Sequence, residues 1–158
     1  LLPVIGPDAG VAETGHIFAV FAVVSIAVRA GMANWIDRLD PYRLGAWSAA
    51  LTCVGLAVMG FGISEASLLT AAVIFAVSLA VQYPALMMIA MAGSPRSAQP
   101  GIIALYSASF DIGMGIGAFI LGAVTDLADF PAASWVACAL CVVALVLHLL
   151  VLERMTRR

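Results

Sequence analysis

Lysine is absent from this chain of 158 residues, and charged residues of all kinds make up only 10% of it. A soluble domain usually carries about 25% charged residues, which keep its surface in contact with water. A basic surface for nucleic acid is also missing, because the formal net charge is −2. The scarcity of charge therefore excludes an ordinary soluble domain, a disordered segment and a nucleic-acid binder.

Cysteine is scarce as well, and its three copies all lie in apolar runs. An odd number of cysteines in such surroundings disfavours structural disulfides. Cys138 and Cys141 have the CxxC spacing, but no second Cys or His pair completes a site, so we expect no metal and no cofactor. The motifs of serine hydrolases, zinc peptidases, phosphate-binding loops and dinucleotide-binding folds are missing too. We therefore expect the protein not to be an enzyme.

Apolar residues dominate what is present, at 64% of the chain with a mean hydropathy of +1.12. They gather into five segments, each near the length of roughly 20 residues that a helix needs to cross a bilayer. Each segment is about twice as long as one strand of a membrane barrel. A helix also satisfies its own backbone hydrogen bonds in lipid. The predicted fold is an all-α, polytopic membrane bundle of five transmembrane helices, at about residues 15–33, 44–63, 68–91, 101–125 and 132–152.

The seven arginines alternate with acidic connections along the chain. Arg38 and Arg43 follow the first segment, Arg96 follows the third, and the last three arginines follow the fifth. Arg29 lies near the same end of its own helix, where a long side chain can reach the interface. The remaining connections and the N-terminal tail are acidic and contain no arginine. By the positive-inside rule, we predict a multi-pass protein of the inner (plasma) membrane, with its N-terminus outside and its C-terminus cytoplasmic.

Polar residues inside two segments are candidates for a solute or proton pathway. Asp111 lies about ten residues into the fourth segment, one helical turn after Ser107. An ionisable group at that depth costs roughly 2.5–3.5 kcal/mol, so we expect a pathway, a hydrogen-bonded buried carboxyl, or a carboxyl near water at the cytoplasmic half of the helix. Gln82 and Tyr83 lie in the third segment, one turn after Ser78, and the proline that follows them can kink the helix toward a cavity. Hydrogen bonding between helices is the alternative.

Glycines are concentrated in the fourth segment, where Gly113 and Gly117 form a GxxxG pair. Such a pair removes side chains from one helix face and lets a second helix backbone approach closely. We therefore expect Gly113 and Gly117 to lie at a tightly packed contact between helices.

Two stretches resemble a known family. The stretch R-A-G-M-A-N-W-I-D-R-L-D-P-Y-R-L, from Arg29 to Leu44, resembles the loop motif R…G-x-L-x-D-R-x-G-x-R-R of major facilitator superfamily (MFS) transporters. The residues that match the motif are Arg29, Asp37, Arg38 and Arg43. The residues that stand at its two glycine positions are Ala33 and Asp40. The stretch from Tyr106 to Gly122 is similar to the penultimate helix of bacterial drug- and sugar-efflux members, and Gln82–Met91 looks like the end of the helix before it.

The resemblance covers about residues 11–152 and implies that the chain is a partial C-terminal half of a twelve-helix carrier, comprising helices eight to twelve. It implies secondary active transport of small organic solutes by alternating access, with proton-coupled efflux as the expected mode. The implied partners are a small-molecule substrate, the lipid bilayer and the missing N-terminal helices. In the family the loop Asp and Arg stabilise one conformation, so Asp37 and Arg38 are expected to form a gating latch within the motif that also includes Arg29 and Arg43.

Two other functions stay open at this point. One is a small polytopic structural or assembly subunit without transport activity, which a start methionine upstream with no further helices would favour. The other is an intramembrane enzyme, which would need activity on a lipid or peptide substrate.

Overall fold

The computed structural model describes residues 15–32 and 38–156, with side chains up to residue 154. These residues form five helices and no strand. In chain order the helices are α1 (Gly15–Met32), α2 (Pro41–Phe61), α3 (Glu65–Met91), α4 (Gln99–Leu127) and α5 (Phe130–Thr156). All five are long and apolar enough to cross a membrane. The predicted all-α bundle of transmembrane helices is therefore confirmed.

Helices α2 to α5 each begin two or three residues before the predicted apolar segment, and polar side chains cap the starts of α2, α3 and α5. The Asp40 side chain accepts a hydrogen bond from the Tyr42 backbone N–H at 2.9 Å, and a proline occupies the first turn of α2. Ser64 and Ser67 form a reciprocal capping box at the start of α3. Hydropathy marks the lipid-buried part of a helix and misses this polar first turn.

The helix ends also depart from the apolar segments. Helix α5 continues to Thr156, past the predicted residue 152, because Glu153 and Arg154 favour helical backbone as strongly as many apolar residues do. Helix α4 runs two residues past its predicted end. Helix α2 stops at Phe61, two residues before its predicted end. Gly62 follows it with a φ of 156°, which residues other than glycine rarely adopt.

Helix α2 packs between α3 and α5. It is antiparallel to α5, since Gly45 near its start contacts His148 and Gly60 near its end contacts Trp135. Helix α1 packs along α3, and α4 contacts α5 and α3. The contact network thus places α1, α3 and α4 around a common space, which forms the cavity described below.

Hydroxyl groups and a glycine hold α2 against α3. The buried Ser78 hydroxyl donates to the Ser48 carbonyl at 2.7 Å, and the Thr52 hydroxyl lies 2.6 Å from the Ser78 oxygen. One turn further along α2, Gly55 leaves room for the ring of Phe75. Small residues at such a contact bring helix backbones together, and the hydroxyls hydrogen-bond across it.

The two ends of the bundle differ in charge. One end, called the arginine end here, carries all the arginines whose side chains the structure describes, namely Arg29, Arg38, Arg43, Arg96 and Arg154. The opposite end, called the acidic end, carries Glu65, Asp126 and Asp129. At the acidic end His16 of α1 lies 3.1 Å from the Glu65 carboxylate of α3 and ties the starts of these two helices together.

Candidate functional site

A cavity of about 580 Å³ lies between α1, α3 and α4. Its volume is within the range of roughly 300–1,000 Å³ that small-molecule sites occupy. Most of its wall is apolar, and a few polar side chains interrupt it. The residues that line it are Phe21, Ala22, Ser25, Ile26, Arg29, Leu79, Ala80, Gln82, Tyr83, Leu86, Tyr106 and Phe110.

Helical periodicity explains how α1 contributes to this wall. Phe21, Ser25 and Arg29 are spaced four residues apart and therefore lie on one face of α1. Phe21 lies toward the middle of the membrane segment, and Arg29 lies one turn before the end of α1. The wall therefore changes along α1 from an aromatic ring to a hydroxyl and then to a positive charge at the arginine end.

Three aromatic rings join α3 to α4 at the edge of the cavity. The Tyr83 ring packs edge to face against Tyr106, with ring centroids 5.2 Å apart, and against Phe110 at 5.9 Å. Edge-to-face geometry is favourable between aromatic rings and holds both partners in place. Tyr83, Tyr106 and Phe110 are therefore held in a fixed arrangement, and these three residues are called the aromatic corner below.

Arg29 lines this cavity and also an adjoining one of about 260 Å³ between α1 and α3. Its neighbours there include Ala80, Tyr83 and Pro84 of α3. The side chain is exposed, and no carboxylate among the described residues lies within ion-pair distance of it. The guanidinium is therefore a positive charge on the cavity wall without a negative partner in the described part of the chain.

The structure brings together some of the predicted pathway residues and separates others. Gln82 and Tyr83 both line the cavity, and α3 continues as a helix through Pro84. Ser78 does not line it: its hydroxyl is fully buried in the contact between α2 and α3. The hydrogen bonds to Ser48 and Thr52 match the structural alternative that the sequence left open for this serine.

Asp111 and Ser107 lie on α4 beside the cavity, and neither is among the described residues that line it. Ser107 follows Tyr106 and is half-buried, whereas Asp111 follows Phe110 and is exposed. One residue advances a helix by about 100°, so Asp111 projects from a different face of α4 than the cavity-lining ring before it. The carboxyl is therefore exposed beside the cavity and does not form part of its wall.

The loop motif is only partly described. Asp37 lies outside the described residues. Arg38 and Arg43 are exposed at the arginine end, and the Arg43 guanidinium lies 3.8 Å from the Asp40 carboxylate, three residues before it. An exposed pair of this kind contributes little stability, so Arg29 is the one arginine of the motif that the helices place in the cavity wall.

Gly113 and Gly117 differ from their expected place in a helix contact. A methyl group added at either glycine would meet no atom of the described chain within 4 Å. No residue of α4 is buried, so the expected close packing is not found within the described part of the chain. The close contacts occur instead at Gly45, Gly55 and Gly60 of α2, where rings of neighbouring helices fill the space.

The cysteines lie at the contact between α2 and α5. The Cys138 thiol donates to the Cys53 carbonyl and the Cys141 thiol to the Ala49 carbonyl, both at 3.5 Å. All three thiols are free. Among the described residues no group of His, Cys, Asp and Glu side chains is arranged to hold a metal ion.

Four aromatic or hydroxyl-bearing residues of the cavity wall were not singled out from the sequence as pathway candidates, although the sequence contained a signal for them. They are Phe21, Ser25, Tyr106 and Phe110. In each helix these residues are four apart, the spacing that aligns side chains on one helix face. A search for polar or aromatic residues that share a face with Arg29 or Gln82 would have found the α1 members. The place of Tyr106 and Phe110 in the cavity wall became clear only from their packing against Tyr83.

The fold and the cavity together define a polytopic helical membrane protein with a solute-sized space between its helices. The family model of the Major Facilitator Superfamily matches residues 1–158, the whole of the chain. The chain therefore belongs to the Major Facilitator Superfamily, whose members are membrane transporters, as the loop motif and the penultimate helix indicated. No curated protein and no solved structure matches the chain at a significant level.

Proposed function

We propose that this chain is part of a secondary active transporter that exports small organic solutes by alternating access, with proton coupling. The cavity between α1, α3 and α4 is the solute pathway. The observation that carries the proposal is its volume of about 580 Å³ with a mainly apolar wall, in a chain that belongs to a transporter superfamily. Gln82 and the hydroxyls of Ser25 and Tyr83 orient the solute on this wall.

The arginine end faces the cytoplasm of a cell bounded by its inner (plasma) membrane, and the acidic end faces outside. Reporter fusions test this orientation. Green fluorescent protein should fluoresce when fused after Arg96 or Arg158, because it folds in the cytoplasm. Alkaline phosphatase should be active when fused after Ser64 or Ala128, because it matures outside. The reverse pattern contradicts the proposed orientation.

Further helices of the same carrier cover α4 on two faces, the open face that carries Gly113 and Gly117 and the face that carries Asp111. The two glycines border empty space and Asp111 is exposed, and a carboxyl facing hydrocarbon is costly. Protein on the open face uses the glycines for close packing, and protein beside Asp111 removes the cost of the carboxyl. Paired cysteines test the contact: a Cys at Gly117 should cross-link to a Cys in a preceding helix of the full-length protein. Cross-linking only between two copies contradicts the arrangement.

Asp111 carries the coupled proton, with Ser107 on the same face to hydrogen-bond the carboxyl. Asp111→Asn keeps the size of the side chain and removes its ability to bind and release a proton. In the full-length carrier, the pH dependence of solute efflux should therefore become flat. Asp126→Asn removes a carboxylate from the acidic end of the same helix and should leave the pH profile unchanged. An unchanged profile in Asp111→Asn overturns the coupling role.

Asp37 and Arg38 form a latch that stabilises one conformation of the carrier. Asp37→Asn should lower the transport rate while the amount of protein inserted in the membrane stays the same. Asp40→Asn is the matched control, since it removes a charge from the same loop and asparagine caps the start of α2 as well as aspartate does. Equal rates in wild type and Asp37→Asn contradict the latch. Absence of any solute flux in the wild type favours the assembly-subunit alternative.

A further inference from the structure

The cavity wall has a single sign of charge. Arg29 is the only charged residue among the described residues that line it. The ion pairs found in the described part of the chain join other residues, His16 with Glu65 and Arg43 with Asp40. The guanidinium therefore faces a solute-sized space, and none of the described carboxylates neutralises it.

The side chain that bears this charge is a planar guanidinium with five N–H donors and no acceptor. In a largely apolar wall an unpaired cation favours a counter-anion strongly. The planar guanidinium binds an oxyanion such as a carboxylate through two parallel hydrogen bonds.

Another part of the wall suits an uncharged, flat group. Tyr83, Tyr106 and Phe110 form the aromatic corner on α3 and α4, and Phe21 adds a ring from α1. Aromatic faces and edges attract other rings in offset or edge-to-face contacts. Tyr83 lines both the main cavity and the smaller space next to Arg29, so the aromatic corner and the guanidinium border the same space.

We infer that the cavity binds an aromatic organic anion, with its acidic group on Arg29 and its ring against the aromatic corner. This inference deepens the proposed function and rests on it, since it names the class of solute that the pathway takes. The amide of Gln82, which lines the same cavity, donates a further hydrogen bond to the acid. The solute class is therefore a carboxylic acid on a ring system.

Matched ligands and matched variants test the inference in the full-length protein, purified in a maltoside detergent without added phospholipid. The ligands are 1-naphthylacetate and its neutral amide, 1-naphthylacetamide, which share the ring and differ in charge. The variants are Arg29→Gln, Arg29→Lys and Arg96→Gln, the last of which removes an exposed arginine of the same end outside the cavity. Affinities are measured by isothermal titration calorimetry.

We expect the wild type to bind the acid more tightly than the amide. Arg29→Gln should weaken binding of the acid by about 10-fold to 100-fold, the effect of losing a charged hydrogen-bond partner, and leave the amide unchanged. The affinity of Arg29→Lys for the acid should lie between those of the wild type and Arg29→Gln, because lysine keeps the charge and loses the paired hydrogen bonds. Arg96→Gln should match the wild type. Retained amide binding also verifies that Arg29→Gln is folded.

Equal affinity for acid and amide, absence of acid binding, or equal effects of Arg29→Gln and Arg96→Gln each overturn the inference. An anionic lipid headgroup offers the same oxyanion chemistry, so a second titration adds phosphatidylglycerol. Acid binding that survives the lipid supports a solute site, and its abolition by the lipid overturns the solute assignment. Proteoliposome flux separates the two proposals: Arg29-dependent acid binding without flux refutes transport and leaves the anion site standing.

Discussion

Helices α2 and α4 both contain several glycines, but the glycines of the two helices differ in their contacts. In α2, Gly45, Gly55 and Gly60 each lie against a ring of a neighbouring helix. In α4, Gly113 and Gly117 border empty space in the described chain. The difference shows that glycines mark where a neighbouring helix can approach closely. A close contact forms only where a large side chain of the neighbouring helix fills the space.

Position in the bundle explains the difference. Helix α2 lies between α3 and α5, so its small residues meet Phe75 on one side and Trp135 on the other. Helix α4 lies at the margin, and none of its residues is buried. The margin is also where Asp111 is exposed. The costly carboxyl and the unused glycines lie on different faces of α4, and both support the proposal that further protein surrounds this helix.

The largest effect is expected where a glycine contact is tightest. A methyl group at Gly60 would lie 2.7 Å from the Trp135 ring, and that ring is held by its own hydrogen bond to the Gly60 carbonyl at 2.9 Å. Gly60→Ala should therefore destabilise the protein by about 1–3 kcal/mol, the usual cost of overpacking. Reversible unfolding in mixed micelles measures the change in the free energy of unfolding.

Gly15→Ala is the control for this substitution, because a methyl group there meets nothing within 4 Å. It should leave the free energy of unfolding nearly unchanged. If Gly60→Ala is as stable as the control, the Trp135 ring moves aside without cost and α2 is not tightly packed against α5.

A smaller effect is expected from the hydroxyls between α2 and α3. Ser78→Ala removes the hydrogen bonds to the Ser48 carbonyl and the Thr52 hydroxyl. Hydrogen bonds between membrane helices contribute about 0.6 kcal/mol on average and about 1.7 kcal/mol at most, so the loss should fall in that range. Ser109→Ala removes a bond within α4 alone and should cost less. Equal losses contradict a bridging role for Ser78.

The sequence predicted the helices well because lipid imposes a single strong pattern. Five apolar segments became five helices, since a lipid-facing chain must bond its own backbone. The starts were harder to predict, because caps such as Asp40 and Ser64 are polar and lie outside the hydropathy pattern. The location of the described arginines at one end of the bundle followed directly from the sequence, because connections that contain arginine alternate with acidic ones.

The site was less predictable than the fold. Gln82 and Tyr83 were found because polar residues in an apolar segment stand out. Ser78 stands out in the same way, yet it bonds to α2, and only the packing of helices separates these two uses. Arg29 was interpreted through the loop motif, and its place in the cavity wall depends on the rotation of α1 against α3. The rotation of a helix about its axis depends on its contacts with other helices, so the sequence of one segment does not determine it.

The smallest effect, and one of opposite sign, is expected on the open face of α4. In the 158-residue chain, Gly117→Ala adds the same methyl group as Gly60→Ala but places it where no described atom lies within 4 Å. Alanine is favoured over glycine inside a helix, so we expect a gain of about 0.5 kcal/mol in the free energy of unfolding. If further helices cover this face, as proposed above, the same measurement in the full-length protein should turn the gain into a loss. A loss already present in the 158-residue chain would mean that its own residues, or a second copy, pack on these glycines, and the contrast between α2 and α4 would disappear.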